Sequence, residues 1–350
     1  MGVYHIKNKG TSTYLYATST TMSNHLGLSV AAKVTNDFDL TKFKWSIRSL
    51  SEKTLIRSVL NPQYTLNAYR NTLAPFTCDL YDYNINDDKD CKVTIVSANG
   101  YQRILLDGWG LYLTVVNGTL KWCESDTSNN NQLWTLEYLG NMGCDTSAYL
   151  SSTRAGKLDA YDFTFVGRYL NLLTGYHDGL TSAEVNNIMN TNMFIYSLYQ
   201  DNMPSGTTGF TATAGLNHAT NAVALATAIN QPANTPIYFA VDRNFSESQC
   251  ADITDYFDAI KEYLDSSDNN PNGYKLGVYS SGLLCEYVLD NIDSTAFTMK
   301  RNARADLGYD YTDWNIYQNT ADITFSNCDF PVDMNLSATK GGGGWRISTN

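Results

Sequence analysis

Charge is scarce in this 350-residue chain: Asp, Glu, Lys and Arg together make up 17%, against the ~25% usual for soluble domains. The charge present leans negative, 24 Lys and Arg against 35 Asp and Glu, for a net −11. An acidic chain repels phosphate backbones, which argues against nucleic acid as a partner. Long hydrophobic runs are missing too, and none approaches the ~18–20 residues of a transmembrane span. The opening Met-Gly-Val-Tyr-His-Ile-Lys holds no apolar signal segment, so export would require a lost leader or another route. The chain has four His, with no two at ligand spacing, and seven Cys with no C-x-x-C pair. A zinc knuckle and a thioredoxin-like site are therefore unsupported, and no metal or organic cofactor is expected. The cysteines read as small buried apolar side chains with at most one or two bridges.

Apolar residues make up 43%, enough for buried cores, and the length favours two domains. Residues 1–140 hold short segments rich in Tyr, Thr, Val, Ile and Leu, broken by Asn, Gly, Asp and Ser, which is an all-β texture. Within them Tyr14-Leu15-Tyr16-Ala17, Thr65-Leu66-Asn67-Ala68 and Tyr112-Leu113-Thr114-Val115 repeat one pattern. Each is followed by a second apolar segment, at Phe43–Ile47, Cys91–Ile95 or Gln132–Leu136. Three such units can bury together an apolar face that one alone could not.

After Gly140-Asn141-Met142 the pattern changes. Short apolar runs alternate with amphipathic stretches at Ser182–Met189, Leu216–Ile229, Glu247–Leu264 and Leu283–Asn291, the signature of β-α-β units. Ser246 with Gln249 three residues on predicts a capping box. The second domain spans residues 141–337, and the Gly341–Gly344 run marks 338–350 as a flexible tail. Asp145, Asp242 and Asp333 each end an apolar run. If those runs are barrel strands, the three carboxylates meet at one mouth.

Two resemblances sharpen these expectations. Residues 1–138 resemble a ricin-type β-trefoil lectin, whose repeats end in Gln-x-Trp: Gln132-Leu133-Trp134 keeps the motif, Phe43-Lys44-Trp45 its Trp, and Cys91-Lys92-Val93 an apolar residue. The family's ligand Asp corresponds to Tyr16, Asn67 and Thr114, none of them a carboxylate. A sugar needs a hydroxyl acceptor and an aromatic platform. Asp107 and Trp109 offer both for a lectin site, as do Trp122 and Asp126.

Residues 142–337 resemble the glycoside-hydrolase-like barrel domain related to family 25 lysozymes, which cleave peptidoglycan. The matching strings are Gly143–Asp145, Phe165–Tyr169, Ile237–Asp242, Gly277–Ser280, Trp314–Gln318 and Val332–Asn335. The fold class implied is multidomain: an all-β trefoil followed by a (β/α)8-type, TIM-like barrel. The function implied is that of a lysozyme-like glycoside hydrolase acting on a polysaccharide or cell-wall glycan, with a lectin-like targeting module. Asp145, Asp242 and Asp333 are then the catalytic candidates, and Arg168, Asn244, Tyr279, Trp314 and Gln318 the substrate-binding ones. The lysozymes' principal acid is a Glu where this chain has Asn244, and an amide cannot serve as a general acid. A non-catalytic carbohydrate-binding, self-associating or toxin-like protein on a degenerate hydrolase barrel is therefore the alternative. The expected setting is outside the cell or on its surface, with the cytoplasm as the other option.

Overall fold

The computed structural model describes residues 2–22, 25–34, 41–50, 53–69, 76–82, 89–202, 206–301, 311–324 and 328–347. The chain divides into two compact units, Met1–Met142 and Gly143–Asn350.

In the first unit the strands are β1 (Gly2–Asn8), β2 (Tyr14–Met22), β3 (His25–Ala31), β4 (Trp45–Leu50), β5 (Lys53–Ser58) and β6 (Tyr64–Tyr69). They continue with β7 (Phe76–Asp82), β8 (Val93–Ala98), β9 (Tyr101–Leu106), β10 (Leu111–Val116), β11 (Thr119–Cys123) and the start of β12 (Trp134–Asp145). Antiparallel pairings run β1–β2–β3–β7–β11–β10–β9–β8–β5–β4 and return to β1, closing a barrel of ten strands. Closure leaves no unpaired edge in that circuit. The repeated leucines Leu15, Leu66 and Leu113 are fully buried in one apolar cluster with Trp45, Val93 and Trp134. Trp45 donates its indole N–H to the Leu15 carbonyl at 3.0 Å, and Trp134 donates to Leu113 at 3.1 Å. The same bond in two of the three units shows that the sequence repeat is a structural one.

In the second unit β12 ends at Asp145, and β13 (Phe165–Tyr169), β14 (Phe194–Tyr199), β15 (Pro236–Ala240), β16 (Lys275–Ser280), β17 (Phe297–Lys300) and β18 (Ile316–Ile323) follow in parallel order. Their near-continuous apolar runs, such as Pro-Ile-Tyr-Phe-Ala in β15, suit strands buried on both faces. The last strand, β19 (Val332–Ser337), pairs antiparallel with β18 and also pairs with β12. Phe165, Tyr196, Leu198, Tyr238, Tyr279, Met299 and Ile316 form an apolar cluster inside this ring.

Helices α1 (Ser152–Ala160), α2 (Ser182–Met189), α3 (Ala212–Ala228), α4 (Glu247–Asp252), α5 (Thr254–Asp265) and α6 (Gly282–Asn291) lie in the connections. Ser151, Thr181 and Thr211 cap the first three. The Ser246–Gln249 capping box opens α4. On α5, Tyr256, Phe257, Ile260 and Leu264 line the buried face.

The expected fold class needs correction. The chain is mostly β and 23% helical, its first unit closes as a ten-strand antiparallel barrel, and no (β/α)8 TIM barrel forms. The eighth β/α unit fails because β19 runs against β18, and an antiparallel neighbour needs no helical crossover. Among the described residues no helix lies between β17 and β19.

The glycine-rich end, read as a flexible tail, is packed instead. The Gly342 carbonyl accepts from the Tyr238 hydroxyl at 2.7 Å. Trp345 is buried, exchanges backbone bonds with Ile195, and donates its indole N–H to Ser197 Oγ at 3.0 Å.

Candidate functional site

Asp145 is the last residue of β12, and Gly167 lies beside it on β13. A Cβ on Gly167 would stand 2.8 Å from the Asp145 Cβ, so only glycine leaves the carboxylate its place. On the other side of β12, Gln318 of β18 is in register with Asn335 of β19, the strand that pairs with β12. Asp333 and Asn335, two apart on one strand, face the same side.

These four side chains form one network. Asn335 Nδ2 donates to Asp145 Oδ2 at 2.8 Å. Gln318 Nε2 lies 3.2 Å from that oxygen and 3.0 Å from Asp333 Oδ2. The Tyr279 hydroxyl donates to Gln318 Oε1 at 3.3 Å, which fixes the amide's orientation. Asp333 Oδ1 accepts from the backbone N–H of Asp322 at 2.8 Å. Asp322 has φ of 56° and sits in an irregular stretch of β18, and that left-handed turn aims its amide at the carboxylate.

Burial pushes the Asp145 carboxyl up to about 8, with the charge of Asp333 adding to the rise and the Asn335 and Gln318 amides opposing it. Burial also lifts Asp333, to about 6. Burial and mutual proximity therefore both favour the pair retaining a proton to higher pH than a free Asp would. A cleft of about 90 Å³ opens beside them, its lining including Asp145, Thr146, Ser147, Tyr169, Asp322 and Asp333. The Oδ1 of Asn335 is buried with no hydrogen-bond partner among the described residues, an acceptor in the same network.

Other candidates stand apart from this centre. Asp242 is 45% exposed and pairs with Arg301 at 2.7 Å, although its charge still adds to the rise at Asp145 and Asp333. Asn244 is exposed. Trp314 precedes the first residue of β18 and packs on Tyr317, toward the amino ends of the strands, whereas Gln318 reaches the carboxylates. Arg168 is fully buried and faces Glu184 at 2.7 Å, with its remaining N–H groups on the Thr146 and Asp178 carbonyls. It holds the loop that follows Asp145 and does not enter the cleft.

In the first unit, Trp109 donates its indole N–H to Asp90 at 2.6 Å, and the Lys89 ammonium lies 4.2 Å from its ring centre. Its ring also meets the edge of Phe76. Asp107 keeps one buried oxygen without a hydrogen-bond partner among the described residues. Trp122 is a core residue donating to the Asn67 carbonyl, and Asp126 caps a turn through Ser128. Among the described residues no group of three or more His, Cys, Asp or Glu is placed to hold a metal ion.

Sequence reasoning missed Glu184, Asp322 and the role of Asn335. Only Asn335 carried a signal, through its two-residue spacing from Asp333.

Parallel strands β12–β18, closed by the antiparallel β19, bring Asp145 and Asp333 together. The chain belongs to the Rv2525c-like family with a glycoside hydrolase-like domain, whose family model matches residues 157–337. It is 27% identical over 150 residues to the uncharacterized protein FadG of Bacillus subtilis (strain 168), a match covering 42% of this chain and 26% of FadG. It is 29% identical over 150 residues to YbfG of the same organism, covering 41% and 20%. The chain thus spans about a quarter of the first relative and a fifth of the second. Among solved structures it is similar to the Tat-secreted protein Rv2525c of Mycobacterium tuberculosis in complex with L-tartrate, at 21% identity and a TM-score of 0.47. That match covers 59% of this chain and 99% of the other.

Proposed function

We propose that the protein acts on cell-wall glycan as a lysozyme-like glycoside hydrolase, with Asp145 as general acid and Asp333 as its ionised partner. One observation carries this reading: two carboxylates share the Gln318 amide while burial sets their pKa values at about 8 and about 6. Carboxyl groups driven apart in this way divide acid and base roles at neutral pH. Both accepting oxygens lie on one amide nitrogen, so they are no more than about 6 Å apart. That favours the close spacing of retaining enzymes, roughly 5–5.5 Å, over the wider inverting one. Asp242 stands at the margin as an electrostatic contributor. Tyr279 and Gln318 orient the pair, and Asn335 holds the Asp145 carboxyl through its amide N–H.

In this reading the first unit is a lectin-like targeting module that raises the local concentration of polysaccharide at the cleft. The protein works outside the cell or at its surface. The test is release of reducing ends from purified peptidoglycan, with Asp145→Asn and Asp333→Asn as variants. Loss of release in both supports the pair, and wild-type rates in either remove that residue from the reaction.

A second reading, glycan binding without cleavage, draws on Asn244 and on Asp242. The amide stands where the lysozyme-like acid would be, and Asp242 is engaged by Arg301. Retention on peptidoglycan with no reducing ends released would favour it.

A further inference from the structure

The loop after β13 presents two large apolar side chains to solvent, Leu172 at 66% and Tyr176 at 68% exposure. The loop itself is well tied down. Leu173 and His177 pair across a tight turn in which Gly175 takes a φ of 83°. Asn171 exchanges hydrogen bonds with the backbone of Gln200. His177 is buried and stacks on Tyr169 at 4.0 Å with the rings nearly parallel. Burial holds its pKa below the usual value, so the stacked ring is neutral at pH 7.

The same loop is bonded to the lining of the carboxylate cleft. The Asp178 N–H donates to the Ser147 carbonyl at 3.0 Å, and the Leu180 N–H donates to the carbonyl of Tyr169. Ser147 and Tyr169 both line the cleft. A segment fixed at both ends has no packing reason to hold a tyrosine and a leucine in water. Single exposed apolar residues are ordinary, but here two lie within five positions of a loop whose backbone is bonded to the cleft's own lining.

We propose that Tyr176, with Leu172 on the same loop, is a saccharide-stacking subsite neighbouring the Asp145–Asp333 cleft, so that the protein engages glycan chains of several sugars rather than single ones. The inference rests on the glycan reading of the cleft and deepens it. A pyranose presents an apolar C–H face that an aromatic ring covers, while its hydroxyls turn toward acceptors. The cleft supplies acceptors in Asp145 and Asp333 but, at about 90 Å³, is a small opening. An aromatic surface outside it gives the next sugar its own contact. Tyr176 acts here as a specificity-determining residue and takes no part in bond cleavage.

The test measures binding of N-acetylglucosamine and of its β-1,4-linked hexasaccharide to the full chain by calorimetry. Tyr176→Ala is expected to weaken hexasaccharide binding about five- to tenfold, the usual worth of one aromatic contact, and to leave monosaccharide binding unchanged. Leu172→Ala should do the same to a smaller extent, and Tyr176→Trp should restore affinity. Both positions are exposed, so the variants are expected to melt with the wild type. If Tyr176→Ala binds the hexasaccharide as wild type does while Asp145→Asn loses it, the subsite falls and the cleft reading survives. If the wild type binds neither sugar, both fall.

Discussion

Arg168 and Glu184 form an ion pair at 2.7 Å with both side chains fully buried. Glu184 Oε1 also accepts from the Leu150 N–H at 2.8 Å, and Arg168 bonds the Thr146 carbonyl, so the pair clamps both ends of the loop following Asp145. Removing one partner leaves a buried charge uncompensated, a loss of about 3–5 kcal/mol. Glu184→Ala should lower the urea midpoint accordingly. An unchanged midpoint would mean that water reaches Arg168.

The carboxylate pair makes a pH prediction with a definite sign. Folded Asp145 keeps its proton up to about pH 8, whereas an unfolded Asp releases it near ~3.9. Between those values the folded chain binds more protons than the unfolded one, so this group's contribution to stability falls as pH rises. Asp145→Asn lacks the titration. Its unfolding free energy relative to wild type should therefore climb by more than about 1 kcal/mol from pH 4 to pH 8. Denaturant melts across that range check it, and a flat difference would mean that Asp145 is ionised in the folded protein.

Asp242 should behave differently. Its contact with Arg301 is half open to solvent, and such pairs contribute about 0–1 kcal/mol. Asp242→Asn is expected to leave the melting temperature nearly unchanged. It should reduce glycan release far less than Asp145→Asn does, by its electrostatic share alone. Equal loss in the two variants would return Asp242 to the centre of the reaction.

The threefold repeat of the first unit gives a matched pair of substitutions. Trp45→Phe and Trp134→Phe each keep a large ring and delete the indole donor, leaving the Leu15 or Leu113 carbonyl buried without it. Each should destabilise the chain by about 1–3 kcal/mol. Thermal unfolding measures both, and a marked inequality would show that the two units are not equivalent.

The sequence made these tryptophans legible because a repeat places the same residue type in the same environment. It also made Asp145 and Gln318 legible, since polar residues ending apolar runs collect at one rim of a parallel ring. Asp333 reaches that rim for the opposite reason. Because β19 runs backwards, its beginning rather than its end lies there. Composition does not encode strand direction: Val332–Ser337 is buried along most of its length, as a parallel strand would be. Glu184 was hidden for another reason. An acid in the first turn of a helix is ordinarily a solvated partner of the helix dipole, and only the fold reveals Arg168 beneath it. Asp322 depends on a left-handed turn that no residue type at that position announces.

The packed segment from Gly341 to Trp345 has a consequence for where the second unit can be truncated. It contacts Ile195, Pro236 and Phe297, residues at the amino ends of their strands. A chain that held every strand of the second unit but lacked this segment would leave the Tyr238 hydroxyl without the Gly342 carbonyl. A chain cut after β19 would likewise leave Ser197 without the Trp345 indole, so the second unit's folded state depends on residues beyond its last strand.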